Sequence, residues 1–223
     1  MKAGSGIGSR RFFKAYRGGR VVAVWKGAVP SKQEQREQKR KATLRVAARI
    51  FNKKGYHNTS LDEIAEELGV TKAALYYYVS GKDELLYECI KLTHECGRRA
   101  RMAVEAHQGS ALERLRILYG QFIVNLINEQ GAYSTSGDIL ALPEEQRDEL
   151  LEARRLFDRY SRQLLADAVA EGSLREVDVR LTSNFVLGAI NWILRWHSDE
   201  ESRTPELIAE SFLDLIFNGI ASR

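Results

Sequence analysis

The sequence predicts an all-α protein, with an N-terminal three-helix helix-turn-helix unit followed by a larger helical body. Apolar residues recur at helical spacing through most of the 223 residues. Only three prolines interrupt the chain, and Ser, Thr or Asp stands ahead of several periodic stretches, as helix N-caps do. No strand pattern is evident beyond the first thirty residues. The length suits one helical domain of about 150 residues plus a small second module.

Residues 1–31 are expected to form a basic, disordered N-terminal extension. Ser9-Arg10-Arg11-Phe12-Phe13-Lys14 matches a twin-arginine export signature. Such a signal needs an apolar segment of roughly 7–15 residues behind it. Val21-Val22-Ala23-Val24-Trp25, flanked by Arg20 and Lys26, is too short, so export is not expected. No stretch approaches the roughly 18 apolar residues of a membrane span.

A helix is expected over residues 33–54, with Leu44, Ala47, Ala48 and Phe51 inward and Gly55 as its C-terminal cap. After the turn Tyr56-His57-Asn58-Thr59, the capping box Ser60-x-x-Glu63 starts a second helix at Leu61. Gly69 supplies a sharp turn, Val70 plugs the core, and Thr71 caps a third helix that turns Leu75 and Val79 inward. Two helices joined by a short glycine-containing turn read as a helix-turn-helix over residues 32–81, whose second helix enters the DNA major groove.

Charge supports a polyanionic partner. Met1 to Arg45 carries 13 Lys/Arg against Glu34 and Glu37, a net of +11, so the remaining 178 residues net −7 within a total of +4. Phosphate neutralisation by such a front makes nucleic acid the first candidate, the alternative being a solvated tail. Cys89 and Cys96 lie seven apart on one helix, about 10 Å by helical rise, too far for a disulfide. They suit a reducing, cytoplasmic setting and make a poor metal pair, so no metal and no cofactor is implied.

Residues 82–223 should form the second, larger helical domain, which has to supply any dimer contacts. Lys82 to about Ala106 turns Leu85, Cys89, Leu92, Cys96, Ala100 and Ala103 inward. The next helix opens with the capping box Ser110-x-x-Glu113 and buries Leu112, Leu115, Tyr119, Phe122 and Leu126. Beyond a loop around Gly131 to Gly137 and a short segment, Pro143 opens a long helix carrying Leu150, Ala153, Phe157, Tyr160 and Leu164. The last two helices, about 178–197 and 204–221, carry Leu181, Phe185, Gly188, Ala189, Trp192 and Trp196, then Ile208, Phe212, Leu215, Ile216 and Gly219. Both are apolar beyond one stripe, as expected of helices that pack on a partner as well as their own core.

From Ala42 to Leu86 the sequence, with LDEIAEELGVTKAALYYYVSGKDELL at its centre, resembles the N-terminal domain of the TetR family of bacterial transcriptional regulators. The turn glycine, Leu75-Tyr76, Tyr78, Lys82 and Leu85-Leu86 fall in the family's order. Val79 stands where Phe is usual, and Gly81 where Ser or Asn often caps the next helix. Thr71, Lys72 and Ala73, at the start of the recognition helix, are the candidate base readers. Lys72 suits guanine acceptors and Ala73 with Ala74 a thymine methyl. The resemblance implies phosphate contacts for Tyr76 and Lys82 and leaves Tyr77 free to approach DNA. Ser60 with its exposed N–H groups offers a phosphate seat.

The resemblance also implies a homodimer through the last two helices, a palindromic operator, and an effector pocket among the middle helices. The pocket candidates are Tyr119, Phe122, Asn125, Phe157, Tyr160, Asn184, Asn191 and Trp192, each with core packing as its alternative. Asn191-Trp192-x-x-Arg195-Trp196 resembles a segment in acyl-CoA-responsive members, making Arg195 a candidate phosphate partner. The expected function is a repressor that releases operator DNA when an apolar small molecule binds. Two other classes were weighed. One is a helical enzyme using His94 or His107, for which no nucleophile–base pairing or phosphate loop is present. The other is a non-specific architectural DNA binder driven by the basic arm, which deletion of residues 1–31 would expose.

Overall fold

The computed structural model describes residues 31–133, 137–198 and 201–220. The expectation for the basic extension therefore lies almost wholly outside the described residues. Eight helices occur among them: α1 Lys32–Lys54, α2 Leu61–Glu67, α3 Lys72–Leu75, α4 Lys82–Glu105, α5 Ala111–Asn128, α6 Glu144–Ala170, α7 Val179–Trp196 and α8 Pro205–Asn218. A 3-10 turn, Asp138–Ala141, precedes α6. The chain clusters into two units, residues 1–35 and 36–223. No helix of the described residues is long and apolar enough to cross a membrane.

Local chemistry explains most boundaries. Ser31 and Glu34 exchange backbone and side-chain bonds at the head of α1, a capping box with no counterpart in the sequence reading. Ser110 and Glu113 make the expected box at α5. At α2 only half of the expected box forms. Ser60 Oγ accepts from the Glu63 N–H, but the Glu63 carboxylate pairs with Lys54 instead. Gly69 has φ 66°, a left-handed turn that a side chain would strain. The residue after it, Val70, is 43% exposed and does not plug the core as expected.

Two apolar cores form, and α4 runs through both. The first gathers Ala47, Phe51 and Tyr56 with Ile64, Leu75 and Val79, and takes Leu85, Leu86, Cys89 and Ile90 from the first half of α4. The second takes Cys96, Ala100 and Val104 from the later half and packs them with α5, α6, α7 and α8. Val104, rather than the expected Ala103, is the buried residue of the last turns.

In α7 the buried residues are Ser183, Val186, Ile190 and Ile193. The stripe emphasised by the sequence faces outward: Leu181, Phe185, Trp192 and Trp196 are 66, 70, 60 and 39% exposed. On α8, Leu207 and Leu215 are likewise exposed beside buried Ile208 and Ala209.

Candidate nucleic-acid interface and effector cavity

The DNA-reading candidates sit on one exposed corner. Thr71 Oγ1 caps α3 by accepting from the Ala74 N–H at 3.2 Å. Buried Leu75 and Val79 pin the segment from beneath, leaving Thr71 to Ala74 exposed. Tyr76 and Tyr77 are 49 and 68% exposed, while Tyr78 is half-buried against the first core. Lys72 Nζ lies 2.8 Å from Asp62 Oδ2, which raises the pKa of the lysine. A base contact by Lys72 therefore has to compete with that ion pair.

Two further cations belong to this corner. The Arg36 guanidinium stands 5.5 Å from the Tyr77 ring centroid, and Lys39 Nζ 5.8 Å from that of Tyr78. The basic start of α1 was visible in the sequence; its placement over these rings was not.

Lys82 has a structural role that its place at the start of a helix gives little reason to expect. Its ammonium donates to the Tyr56 and Thr59 carbonyls at 3.1 and 2.9 Å and lies 4.2 Å from the Tyr56 ring centroid. Tyr56 in turn donates to Asp83. Burial and that carboxylate push the Tyr56 phenol up. The start of α4 is thereby tied to the turn between α1 and α2. Because an ammonium has three donors, one remains for a phosphate. Arg40, 3.2 Å from both Glu84 and Glu88, adds a second α1–α4 tie.

A cavity of about 590 Å³ lies beside the middle of α4. Ile90, Thr93, His94 and Gly97 supply the α4 wall, and Phe122 and Phe157 supply aromatic surface from α5 and α6. 

The two rings meet at 4.7 Å between centroids. Gly97 lets the Phe157 ring lie close to α4, since a Cβ at that position would come 3.0 Å from Phe157 Cδ2. Asn184, Gly188, Asn191, Trp192 and Arg195 line the α7 side. Burial lowers the His94 pKa to about 4, with Arg154 adding to the shift, so the imidazole is neutral near pH 7. Two polar atoms of this lining, His94 Nδ1 and Asn191 Oδ1, are buried without a partner among the described residues.

The structure thus brings Phe122, Phe157, Asn184, Asn191, Trp192 and Arg195 to one cavity, and leaves three candidates elsewhere. Tyr119 is fully buried in the second core, its hydroxyl 2.8 Å from Ser161 Oγ and its pKa pushed up to about 12 by burial. Asn125 Nδ2 donates to the Cys96 carbonyl at 3.1 Å, the partner its buried amide needed. Tyr160 lies under the Arg101 guanidinium, 5.8 Å from it. The sequence reading missed Thr93, Gly97 and Arg154 as cavity residues, and did not place His94 in the cavity. Cys89 and Cys96 are free and buried, and no metal-binding cluster occurs among the described residues.

Comparison with known proteins agrees with this architecture. The family profile described as "Bacterial regulatory proteins, tetR family" matches residues 44–89. A second, "Tetracyclin repressor-like, C-terminal domain", matches residues 108–220. The fatty acid metabolism regulator protein of Bacillus subtilis is 21% identical over 195 residues, covering 85% of this chain and 100% of that protein. The crystal structure of the regulator PfmR from Thermus thermophilus is 29% identical, with a TM-score of 0.60 over 81% of this chain and 99% of that one. AibR, crystallised with isovaleryl coenzyme A and operator DNA, is 25% identical, with a TM-score of 0.61 over 80% of this chain and 97% of that one. With both profiles matched in order and the second alone spanning half its length, the chain belongs to the TetR family of DNA-binding transcriptional regulators.

Proposed function

We propose that this protein is a homodimeric repressor that reads a palindromic operator with α3 and releases it when an acyl-CoA thioester or a related apolar effector enters the cavity beside α4. The observation that carries the reading is the position of that cavity. It faces Ile90, Thr93, His94 and Gly97, the stretch over which α4 passes from the first core to the second. A ligand there touches the helix on which the spacing of the reading surfaces depends. An effector that fits one arrangement better than the other shifts the equilibrium between them.

Dimerisation follows from the outward faces of α7 and α8. Leu181, Phe185, Trp192, Leu207 and Leu215 form apolar surface left exposed among the described residues. A Cβ at Gly188, on the same side of α7, would meet nothing within 4 Å, so the chain's own packing does not require that mid-helix glycine. Close approach of a second α7, or of a ligand in the cavity that Gly188 also lines, would use that space. Two copies on a two-fold axis place two α3 segments on successive turns of the major groove. The acyl-CoA assignment rests on Arg195 at the cavity wall and on the ligand carried by AibR. A role as an enzyme has no support, since the family consists of regulators.

The test is operator selection from random duplexes, followed by fluorescence anisotropy with a panel of acyl-CoA thioesters. The expected result is a palindromic site bound by a dimer and released by at least one thioester. A monomer, or binding without sequence preference, would contradict the reading, the latter favouring an architectural DNA binder.

A further inference from the structure

Arg195 is already engaged within the chain itself. From the last turn of α7 its Nη1 donates to the carbonyl oxygen of Asn52 at 2.6 Å. Asn52 lies in the last turn of α1, where carbonyls have no partner within the helix and carry the negative end of the helix dipole. Arg195 thus acts as a C-terminal cap for α1 supplied from the opposite end of the chain. The same side chain lines the cavity, with its guanidinium 5.5 Å from the Trp192 ring centroid. The Asn52 amide continues the link, donating to the Ala132 carbonyl at 3.0 Å beside Tyr133, which also lines the cavity.

We propose that the cavity takes an effector with an apolar body and an anionic or strongly accepting head, and that this head competes with the Asn52 carbonyl for Arg195. A carboxylate or phosphate accepts two parallel bonds from a guanidinium and binds it more strongly than a neutral carbonyl does. Binding of such a head therefore uncaps α1 and removes the tie between α7 and the DNA-reading unit. Arg154, the other arginine of the lining, makes no such cap and adds only charge. An uncharged apolar molecule of the same length fills the cavity but leaves the cap in place. The apolar body lies against Phe122, Phe157 and Leu187, and the unpartnered His94 Nδ1 and Asn191 Oδ1 accommodate polar atoms along it. This inference rests on the reading of the chain as an effector-controlled DNA binder, and its first test involves no DNA.

Sodium decanoate and 1-decanol serve as the charged and uncharged probes. Their affinities are measured by calorimetry on the full chain, and hydrogen exchange is followed by mass spectrometry over residues 50–56. Decanoate is expected to bind at least about tenfold more tightly than decanol. It should also speed exchange at the end of α1, which decanol should not do. In Arg195→Gln the preference for decanoate should fall to about threefold or less, and exchange at the end of α1 should be fast without ligand. Arg154→Gln, as the charge control, should keep the exchange response. The proposal is overturned by equal affinities, by decanoate binding without a change in exchange, by an unchanged preference in Arg195→Gln, or by no saturable binding of either probe. Failure of the DNA-binding reading would appear separately, as absence of a selected operator.

Discussion

The two cores joined by α4 are built for different work. The first is closed by polar side-chain ties: Lys82 on the Tyr56 and Thr59 carbonyls, the Tyr56 hydroxyl on the Asp83 carboxylate, and Arg40 on the Glu84 and Glu88 carboxylates. The second is mainly aliphatic, and beside it remains a cavity of about 590 Å³. The difference follows from what each must do. A reading helix of only four residues has no stiffness of its own and depends on what lies beneath it. A ligand-binding body needs space and a wall that can move. The same helix, α4, serves as a fixed strut where Lys82 and Arg40 tie it down and as a ligand wall where it passes from the first core to the second.

Paired core deletions should break this comparison most strongly. Ile64 and Leu118 are each fully buried, one in each core. Truncation to Ala should cost about 2–5 kcal/mol at either site, measured by urea unfolding. Ile64→Ala should lose operator affinity while keeping acyl-CoA binding, and Leu118→Ala should do the reverse. Equal loss of both functions in both variants would show that the cores do not act separately.

A pH series should give the next largest effect. The folded-state pKa of His94 is depressed from its ordinary 6.5 to about 4, so folding favours the neutral imidazole. Its contribution is present above pH 6.5 and is lost as the pH falls from about 6.5 towards about 4, because the unfolded chain takes up the proton first. Nearby Arg154 strengthens the shift and Glu149 opposes it. His94→Leu should flatten the dependence of unfolding free energy on pH in this window. A slope unchanged in the variant would remove His94 from the account.

Lys82→Met should cost about 1–3 kcal/mol, because the Tyr56 and Thr59 carbonyls lose a charged donor. Operator affinity should fall and effector affinity should hold. Gly97→Ala should change stability least, within about 1 kcal/mol, since helix propensity and the approach of Phe157 oppose each other. Its effect should appear instead in acyl-CoA affinity, which the displaced Phe157 ring lowers while operator affinity stays unchanged.

Much of this molecule was legible in the sequence, because caps and apolar spacing are local signals. Ser60, Thr71 and Ser110 all cap the helices assigned to them. What was not legible depended on contacts across the chain. Spacing placed Tyr119 on the inner stripe of α5 but could not say that Ser161, rather than a ligand, meets its hydroxyl. Asn125 looked like a ligand amide until the Cys96 carbonyl was found opposite it. In α7 both faces are apolar, so periodicity alone could not choose which would turn inward. Val70 follows a left-handed glycine, and the direction of that turn set its exposure. The cap of α1 by Arg195 joins residues 143 apart in sequence.

The central claim is that one conformational equilibrium links the cavity to α3, and thermodynamic linkage tests it most directly. The affinity of the most effective acyl-CoA thioester is measured by calorimetry on the free protein and on its operator complex. Operator affinity is measured by anisotropy with and without saturating thioester. The account predicts that the thioester binds the operator complex more weakly, by the same factor by which it weakens operator binding. Equal thioester affinity for the free protein and the complex would contradict it.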